Sequence, residues 1–318
     1  MSKLYCLGEL LIDFIPASTS TFKRHFGGAP ANVALGTARL GGNTQFIGQV
    51  GDDAFGRFLT DTLKAGGVDT KTVLVSQKKN TPLAFVTLSE TGERSFGFYR
   101  DNTADLDYNS ENINDIPFER RSLLHFCSVS LVPSNIKAAH DIAIEAIRDT
   151  GGLISFDPNL RFNLWPSETL LKDTVLSYLS RVDLLKLSEE ELTFITGASD
   201  EAEAIDTLNS FNLKAVLISK GEKGSAVYAG KTKVEHPGFK VTAIDTTGAG
   251  DAFMAAVLRK IQQKGIEIEL YSDSDWQEIL TYANAAGALT TTHKGAVSAI
   301  PNDTVITTFI NNRQKNIS

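Results

Sequence analysis

The chain has 318 residues, with 38 acidic against 31 basic side chains, a net charge of -7 and 42% hydrophobic residues, an ordinary globular composition. It contains no block of clustered Lys and Arg, which excludes nucleic acid and anionic membrane as general partners, since both demand a basic face. A small phosphate ligand stays admissible, because a local ring of backbone N–H groups holds one whatever the net charge.

The length passes the ~250 to 300 residues at which single cores stop growing, and predicts one large domain over 1–318 with a small appendage. In chain order, LYCLGELLIDF reads as a strand, ANVALGTARL as a helix closed by Gly41-Gly42, TQFIGQV as a strand and DAFGRFLTDTLKA as a helix closed by Gly66-Gly67. The alternation resumes as LLHFCSVSL, NIKAAHDIAIEAIRDT, LISFDP, TLLKDTVLSYLS and DLLKL. It predicts an α/β fold, a mostly parallel sheet with helices on both faces. PLAFVTLSETGERSFGFYR interrupts it: two period-2 strands around a Glu-Thr-Gly-Glu turn, with no helix following. With the polar stretch ASTSTFKRHF it predicts a small antiparallel sheet beside the main one, either a cover for a core edge or a functional lid.

The N-terminal run carries Glu9 and Asp13 and lacks a small-residue cleavage pattern, which argues against a signal peptide. No uncharged apolar stretch has membrane-spanning length. Cys6 and Cys127 lie far apart in apolar surroundings and read as reduced core thiols of a cytoplasmic protein. His25, His125, His140, His236 and His293 are scattered without metal-ligand spacing.

The strongest chemical signal is Asp245-Thr246-Thr247-Gly248-Ala249-Gly250-Asp251-Ala252-Phe253, followed by the helical run MAAVLRKIQQ. Two glycines and an alanine let the backbone turn sharply and present consecutive N–H groups at a helix start, an oxyanion cradle. Asp251 stands beside those donors, either as a base for an attacking hydroxyl or as a carboxylate stabilising the helix start. The second signal, Gly27-Gly28-Ala29-Pro30-Ala31-Asn32-Val33-Ala34, opens a helix of small residues. Asn32 can read a hydroxyl or cap the helix; Asp13 can accept from another hydroxyl or stand as a solvated strand end. The chain has no G-x-x-x-x-G-K-[ST], no G-x-G-x-x-G after the first strand, no G-x-S-x-G elbow and no protein-kinase catalytic loop.

Gly27 to Ala34, IGQVGDDAFG at Ile47 to Gly56, and DTTGAGDAF at Asp245 to Phe253 resemble the two signature regions of the ribokinase-like (PfkB) carbohydrate kinases, in matching order over essentially the whole chain. HFCSVSL, DPNLRFNLWPS, LKLSEEE and Tyr99-Arg100 with Thr103-Ala104-Asp105 resemble the fructokinase branch. The resemblance implies Asp251 as catalytic base, with Gly248, Ala249 and Gly250 as anion hole. It implies Asp13, Gly28 and Asn32 as sugar-binding positions, and Arg100 as a lid arginine reaching toward substrate. On the nucleotide side it implies Asn159, Arg161, Lys186, Ser188, Ser219, Gly221, Gly224 and Asn284. Ser188 stands where many relatives carry Asn, so Glu191 is implied for magnesium at most through water. Asp245 and Thr247 resemble part of a monovalent-cation loop for K+, with THKGAVSAIP as its other side.

The implied protein is an ATP- and Mg2+-dependent sugar kinase, with fructose as the expected acceptor. 2-Keto-3-deoxygluconate kinase, a riboside or nucleoside kinase and a non-catalytic sugar-binding regulator are the alternatives. The implied partners are the sugar and ATP, with a homodimer formed through a lid over about 14–26 and 82–104.

Overall fold

The computed structural model describes residues 2–18, 20–88, 94–295 and 299–315. Thirteen strands fall among them: β1 (Leu4–Leu7), β2 (Leu11–Pro16), β3 (Phe22–Gly27), β4 (Thr44–Gly51), β5 (Asp69–Ser76), β6 (Leu83–Leu88), β7 (Arg94–Tyr99), β8 (Leu123–Phe126), β9 (Leu153–Phe156), β10 (Leu184–Ser188), β11 (Ala215–Ser219), β12 (Ser225–Ala229) and β13 (Thr232–His236). Nine form the main sheet, in the order β13-β12-β11-β10-β9-β8-β1-β4-β5. Its pairings are parallel except those of β12, which runs antiparallel to both β11 and β13.

Strands β1, β4, β8 and β9 are buried along their whole length, which explains their near-continuous apolar runs. Period-2 alternation then divides the core. Leu4 and Cys6 pack on one side with α1 (Ala29–Arg39), α7 (Ala249–Lys264) and α8 (Asp273–Thr291), while Tyr5 and Leu7 pack on the other with α3 (Asn135–Asp149) and α4 (Glu168–Leu179). Two further helices follow the strand ends used below: α2 (Ala54–Ala65) after β4 and α5 (Glu189–Thr196) after β10. No described helix is long and apolar enough to cross a membrane.

The run LYCLGELLIDF, predicted as one strand, is two. The chain leaves the main sheet at Gly8, where φ is +151° and a side chain's Cβ would meet Pro30 Cγ at 2.8 Å, and enters a second sheet at Leu11. The two apolar segments share one periodicity, and the only mark of the break between them is Gly8-Glu9. The strand predicted over LLHFCSVSL is likewise shorter: pairing stops at Phe126, and Ser128–Ser130 form a 3-10 turn that presents Val129 to the site.

The second sheet has the order β3-β2-β6-β7. It consists of two antiparallel hairpins joined by a parallel pairing of β2 with β6, so that Ile12, Asp13 and Phe14 stand opposite Leu83, Ala84 and Phe85. The predicted Glu-Thr-Gly-Glu turn lies outside the described residues. One face, carrying Leu11, Asp13 and Phe98, lines a cavity against the main domain. On the opposite face Phe14 stacks on Phe85 at 4.9 Å, and Phe22 and Tyr99 set their ring edges against Phe85.

Candidate active site

Two cavities meet at the C-terminal edge of the parallel strands, the usual place for ligands in such sheets. The first, about 90 Å³, lies under the small sheet and is lined by Glu9, Leu11, Asp13, Gly28, Ala29, Asn32, Phe98 and Val129. The second, about 260 Å³, is lined by Asp157, Lys186, Thr246 and Gly250. Asn159, Arg161, Thr247, Gly248 and Asp251 belong to both linings. The structure therefore places the predicted base at the junction.

Sterics require the glycines of the first cavity. A Cβ on Gly27 would stand 2.4 Å from Asp13 Oδ2, and one on Gly28, whose φ is +108°, would stand 2.3 Å from the Glu9 carbonyl oxygen. Bare backbone at these two positions lets β2, β3 and the start of α1 close on one another around Asp13. Burial raises the Asp13 pKa to about 7; Arg161 opposes the shift, while Asp251 and Glu9 add to it.

At the junction, Gly248 adopts the left-handed conformation (φ +78°) as the N-cap of α7 and supplies no side-chain cap. The Gly250 and Asp251 amides fall in the first turn, where an N–H has no intrahelical acceptor. Asp251 Oδ2 accepts from Asn32 Nδ2 at 2.7 Å, so its carboxylate is turned across to α1. Burial raises the Asp251 pKa, against the Asn32 hydrogen bond and the charges of Lys186 and Arg161.

On the wall of the larger cavity Lys186 Nζ pairs with Asp157 Oδ2 at 2.9 Å, both groups buried. Lys186 Nζ stands 3.4 Å from where a Cβ on Gly250 would lie, so a fixed ammonium backs the glycine turn. Asp157 Oδ1 is buried with no hydrogen-bond partner among the described residues. Glu191, by contrast, is committed: Oε1 accepts from the Leu160 amide and Oε2 from the Ser188 amide, each at 2.8 Å. With Ser188 Oγ accepting from Glu191 N, this forms a capping box at the start of α5. In the structure Glu191 braces the loop that carries Asn159 and Arg161.

The remaining predicted positions lie around this centre. Ser188 and Ser219 are register partners at the ends of adjacent strands. Gly221 and Gly224 take φ of +56° and +91° in the following loop, where a Cβ on Gly224 would meet the His236 carbonyl oxygen at 1.9 Å. Asn284 Nδ2 donates to Ser225 Oγ and to the Leu280 carbonyl, both at 2.7 Å, and so ties α8 to that loop. None of these four, Ser219, Gly221, Gly224 and Asn284, lines either cavity. Asp245 Oδ1 accepts from Thr247 N at 2.9 Å and Oδ2 from Gly295 N at 3.1 Å, joining the two sides of the predicted cation loop; residues 296–298 of that loop lie outside the described set.

Arg100 is placed differently from the sequence expectation. Only 4% exposed and in neither cavity lining, its guanidinium donates to Asp105 Oδ2 and to the Val129 carbonyl, each at 2.6 Å, and to Ser130 Oγ at 3.2 Å. It stands behind the cavity wall because Asp105, five residues on, captures it.

Two residues of the site escaped the sequence reading. Glu9 was noticed only as a charge inside an apolar run, and Asp157 only as the head of a motif whose later residues drew attention. A charged residue just past the end of a buried apolar strand is the signal available in the sequence for both.

Residues 1–303 match the family model described as pfkB family carbohydrate kinase. "Fructokinase-1" of Oryza sativa subsp. japonica is 40% identical over 304 residues, covering 93% of this chain and 94% of that protein; "Probable fructokinase-5" of Arabidopsis thaliana is 39% identical over 302 residues, covering 92% and 93%. Among solved structures, the fructokinase from Vibrio cholerae O395 in its fructose-, ADP- and calcium-bound form superposes with a TM-score of 0.91 at 35% identity, covering 98% of this chain and 99% of that one. Aminoimidazole riboside kinase from Salmonella enterica, with aminoimidazole riboside and an ATP analog, gives 0.88 at 28%, covering 97% and 100%. The chain belongs to the pfkB family of carbohydrate kinases.

Proposed function

We propose that the protein is an ATP-dependent fructokinase, converting fructose and ATP to fructose 6-phosphate and ADP. The observation that carries this reading is the position of Asp251, shared by a cavity of hydroxyl-reading side chains and one that carries Lys186 and Arg161, and hydrogen-bonded to Asn32 on the wall of the first. The relatives named fructokinase support the acceptor. So does the chemistry of the smaller cavity: Glu9, Asp13 and Asp251 suit a neutral polyol, whose hydroxyls donate, and oppose a sugar acid such as 2-keto-3-deoxygluconate.

Fructose lies under the small sheet with its primary hydroxyl toward Asp251, and Asp13 and Asn32 read its other hydroxyls. The hydroxyl oxygen attacks the γ-phosphorus of ATP; the new O–P bond forms as the bond to the β-phosphate oxygen breaks, and Asp251 takes the hydroxyl proton. The amides of Gly248 to Gly250, Lys186 and Arg161 stabilise the charge on the transferring group. The nucleotide extends past Asn159 and Ser188 toward Ser219, Gly221, Gly224 and Asn284. Asp157, with its unpartnered Oδ1, fits the hydration shell of a magnesium ion, which when bound neutralises phosphate charge. Asp245 and Thr247 would border a potassium ion.

The small sheet is the lid of this site, and its outer face is a dimer surface. Phe22 and Tyr99, 46% and 67% exposed around the Phe14–Phe85 stack, leave apolar rings for a second copy to cover. A panel of sugars assayed for ATP- and magnesium-dependent phosphorylation tests the activity. Fructose should give the highest kcat/KM, and a clear preference for 2-keto-3-deoxygluconate or a riboside would overturn the assignment.

A further inference from the structure

Glu9 sits on the three-residue link between β1 and β2, is 1% exposed, and belongs to the lining of the smaller cavity. Three donors from two distant segments converge on it. The Ala29 amide donates to Oε1 at 2.9 Å and Ser130 Oγ to Oε2 at 2.7 Å, while the Cys127 thiol lies 3.4 and 3.5 Å from the two oxygens. The first contact holds the turn that opens α1, one turn before Asn32; the second holds the turn after β8 that presents Val129. Ser130 also accepts from Arg100, the residue that follows the last strand of the small sheet, and Arg100 is locked in turn by Asp105 and the Val129 carbonyl. Thr103 closes the knot by donating to Asp105.

We propose that Glu9 is a positioning residue for the sugar, coupling the Gly28–Ala29 turn, the Val129–Ser130 turn and, through Arg100, the edge of the small sheet into one unit. Arg100 then acts on the sugar through Ser130 and Val129, without leaving its ion pair. The two walls of the smaller cavity belong to segments about a hundred residues apart, as the separations of 20 and 121 residues across the Glu9 contacts record. Glu9 is the shared acceptor that sets their spacing. Glu9, Arg100, Asp105 and Ser130 are not among the residues lining the larger cavity, so the knot should bear on sugar binding far more than on nucleotide binding.

The inference rests on the sugar-kinase reading, which wild-type turnover of fructose tests separately; if another sugar is preferred, the variants are read with that sugar. Glu9→Gln puts an amide N–H2 against a carboxylate's donors. Losing a hydrogen bond to a charged group predicts a rise in fructose KM of about tenfold to a hundredfold, with ATP KM within about twofold. Ser130→Ala, which removes only the bridging hydroxyl, should shift fructose KM in the same direction by about threefold to tenfold. A purely structural role would lower the active fraction, reducing kcat with both KM values unchanged, and that result overturns the proposal. Parallel rises in both KM values overturn it as well. If Glu9→Gln yields no folded protein, Ser130→Ala decides alone, and an unchanged fructose KM defeats the idea.

Discussion

The two sheets hold their site residues in opposite ways. The central strands of the main sheet are buried on both faces, and the residues presented at their C-terminal ends, Asp157 and Lys186, are anchored to each other and backed by Phe126, Phe156 and Leu187 in the core. The small sheet has one face on the cavity and the other partly open, with Tyr99 two-thirds exposed. On the proposed mechanism, the phosphoryl-transfer half of the site stands on the buried strands of the main sheet and the sugar-reading half on a sheet with one face partly open. Changes on the main-sheet side should therefore appear in kcat, and changes on the small-sheet side in the KM for sugar.

The largest expected effect sharpens that division at its boundary. Asp251→Asn keeps the side-chain shape and removes the proton acceptor, so kcat should fall by about 10² to 10⁴ while sugar and ATP binding, followed by calorimetry, stay close to wild type. A folded variant with nearly full activity would place the base elsewhere; an unfolded one would return Asp251 to the helix-start role. Next comes Asp13 on the small sheet. Its carboxyl, raised to about 7 by burial, is protonated on the acid side of that value and loses its charge as a hydroxyl acceptor. The kcat/KM for fructose should fall as pH drops through about 7, approaching tenfold per pH unit, and Asp13→Asn should remove that limb while raising KM more than it lowers kcat. An acid limb that persists unchanged in Asp13→Asn would assign it to Asp251 instead.

A smaller effect concerns the open face. Phe22→Ser with Tyr99→Ser should shift the sedimentation profile toward monomer, and sugar should slow amide exchange in β2, β3 and β6 more than in β8 and β9. Equal slowing in both sheets would erase the contrast between them. The smallest is Ser188→Ala, which breaks the capping box on the main-sheet side and should cost about 1 kcal/mol of stability, measurable by denaturant unfolding. If fructose KM moves with it, the two halves of the site are not separable.

Much of this was readable in the sequence because local physics wrote it there. The α/β alternation, the glycine turn ahead of α7 and the hairpin strands each depend on neighbours a few residues apart. Gly28 announces itself since only glycine tolerates its positive φ beside so close a backbone, and Gly248 since its left-handed φ favours glycine. What stayed hidden depends on partners far along the chain. Glu9 finds Ser130 across 121 residues and Lys186 finds Asp157 across 29, so no window of periodicity joins them. Arg100 was legible as important, but its partner Asp105 lies five residues on, and the sequence holds no sign that the pair turns inward. The division of LYCLGELLIDF between two sheets was illegible for a different reason: a buried strand and a cavity-facing strand share the same apolar vocabulary.

That division has a mechanical consequence. The chain crosses between the sheets at Gly8–Leu10 and again at Gly28, and these crossings touch: a Cβ on Gly28 would lie 2.3 Å from the Glu9 carbonyl oxygen and 3.3 Å from Leu10 Cα. Tethers of three residues and one residue have no slack, since each residue spans at most ~3.6 Å. The small sheet cannot slide over the main one. Of the four links to the small sheet these two are the shortest, beside those over 77–82 and 100–122, so the expected movement is a pivot with the paired crossings as its axle, in which Leu11 and Gly27 travel least and the far end of β2 at Pro16 travels most. A side chain larger than hydrogen at Gly28 would wedge that axle and hold the door at one angle.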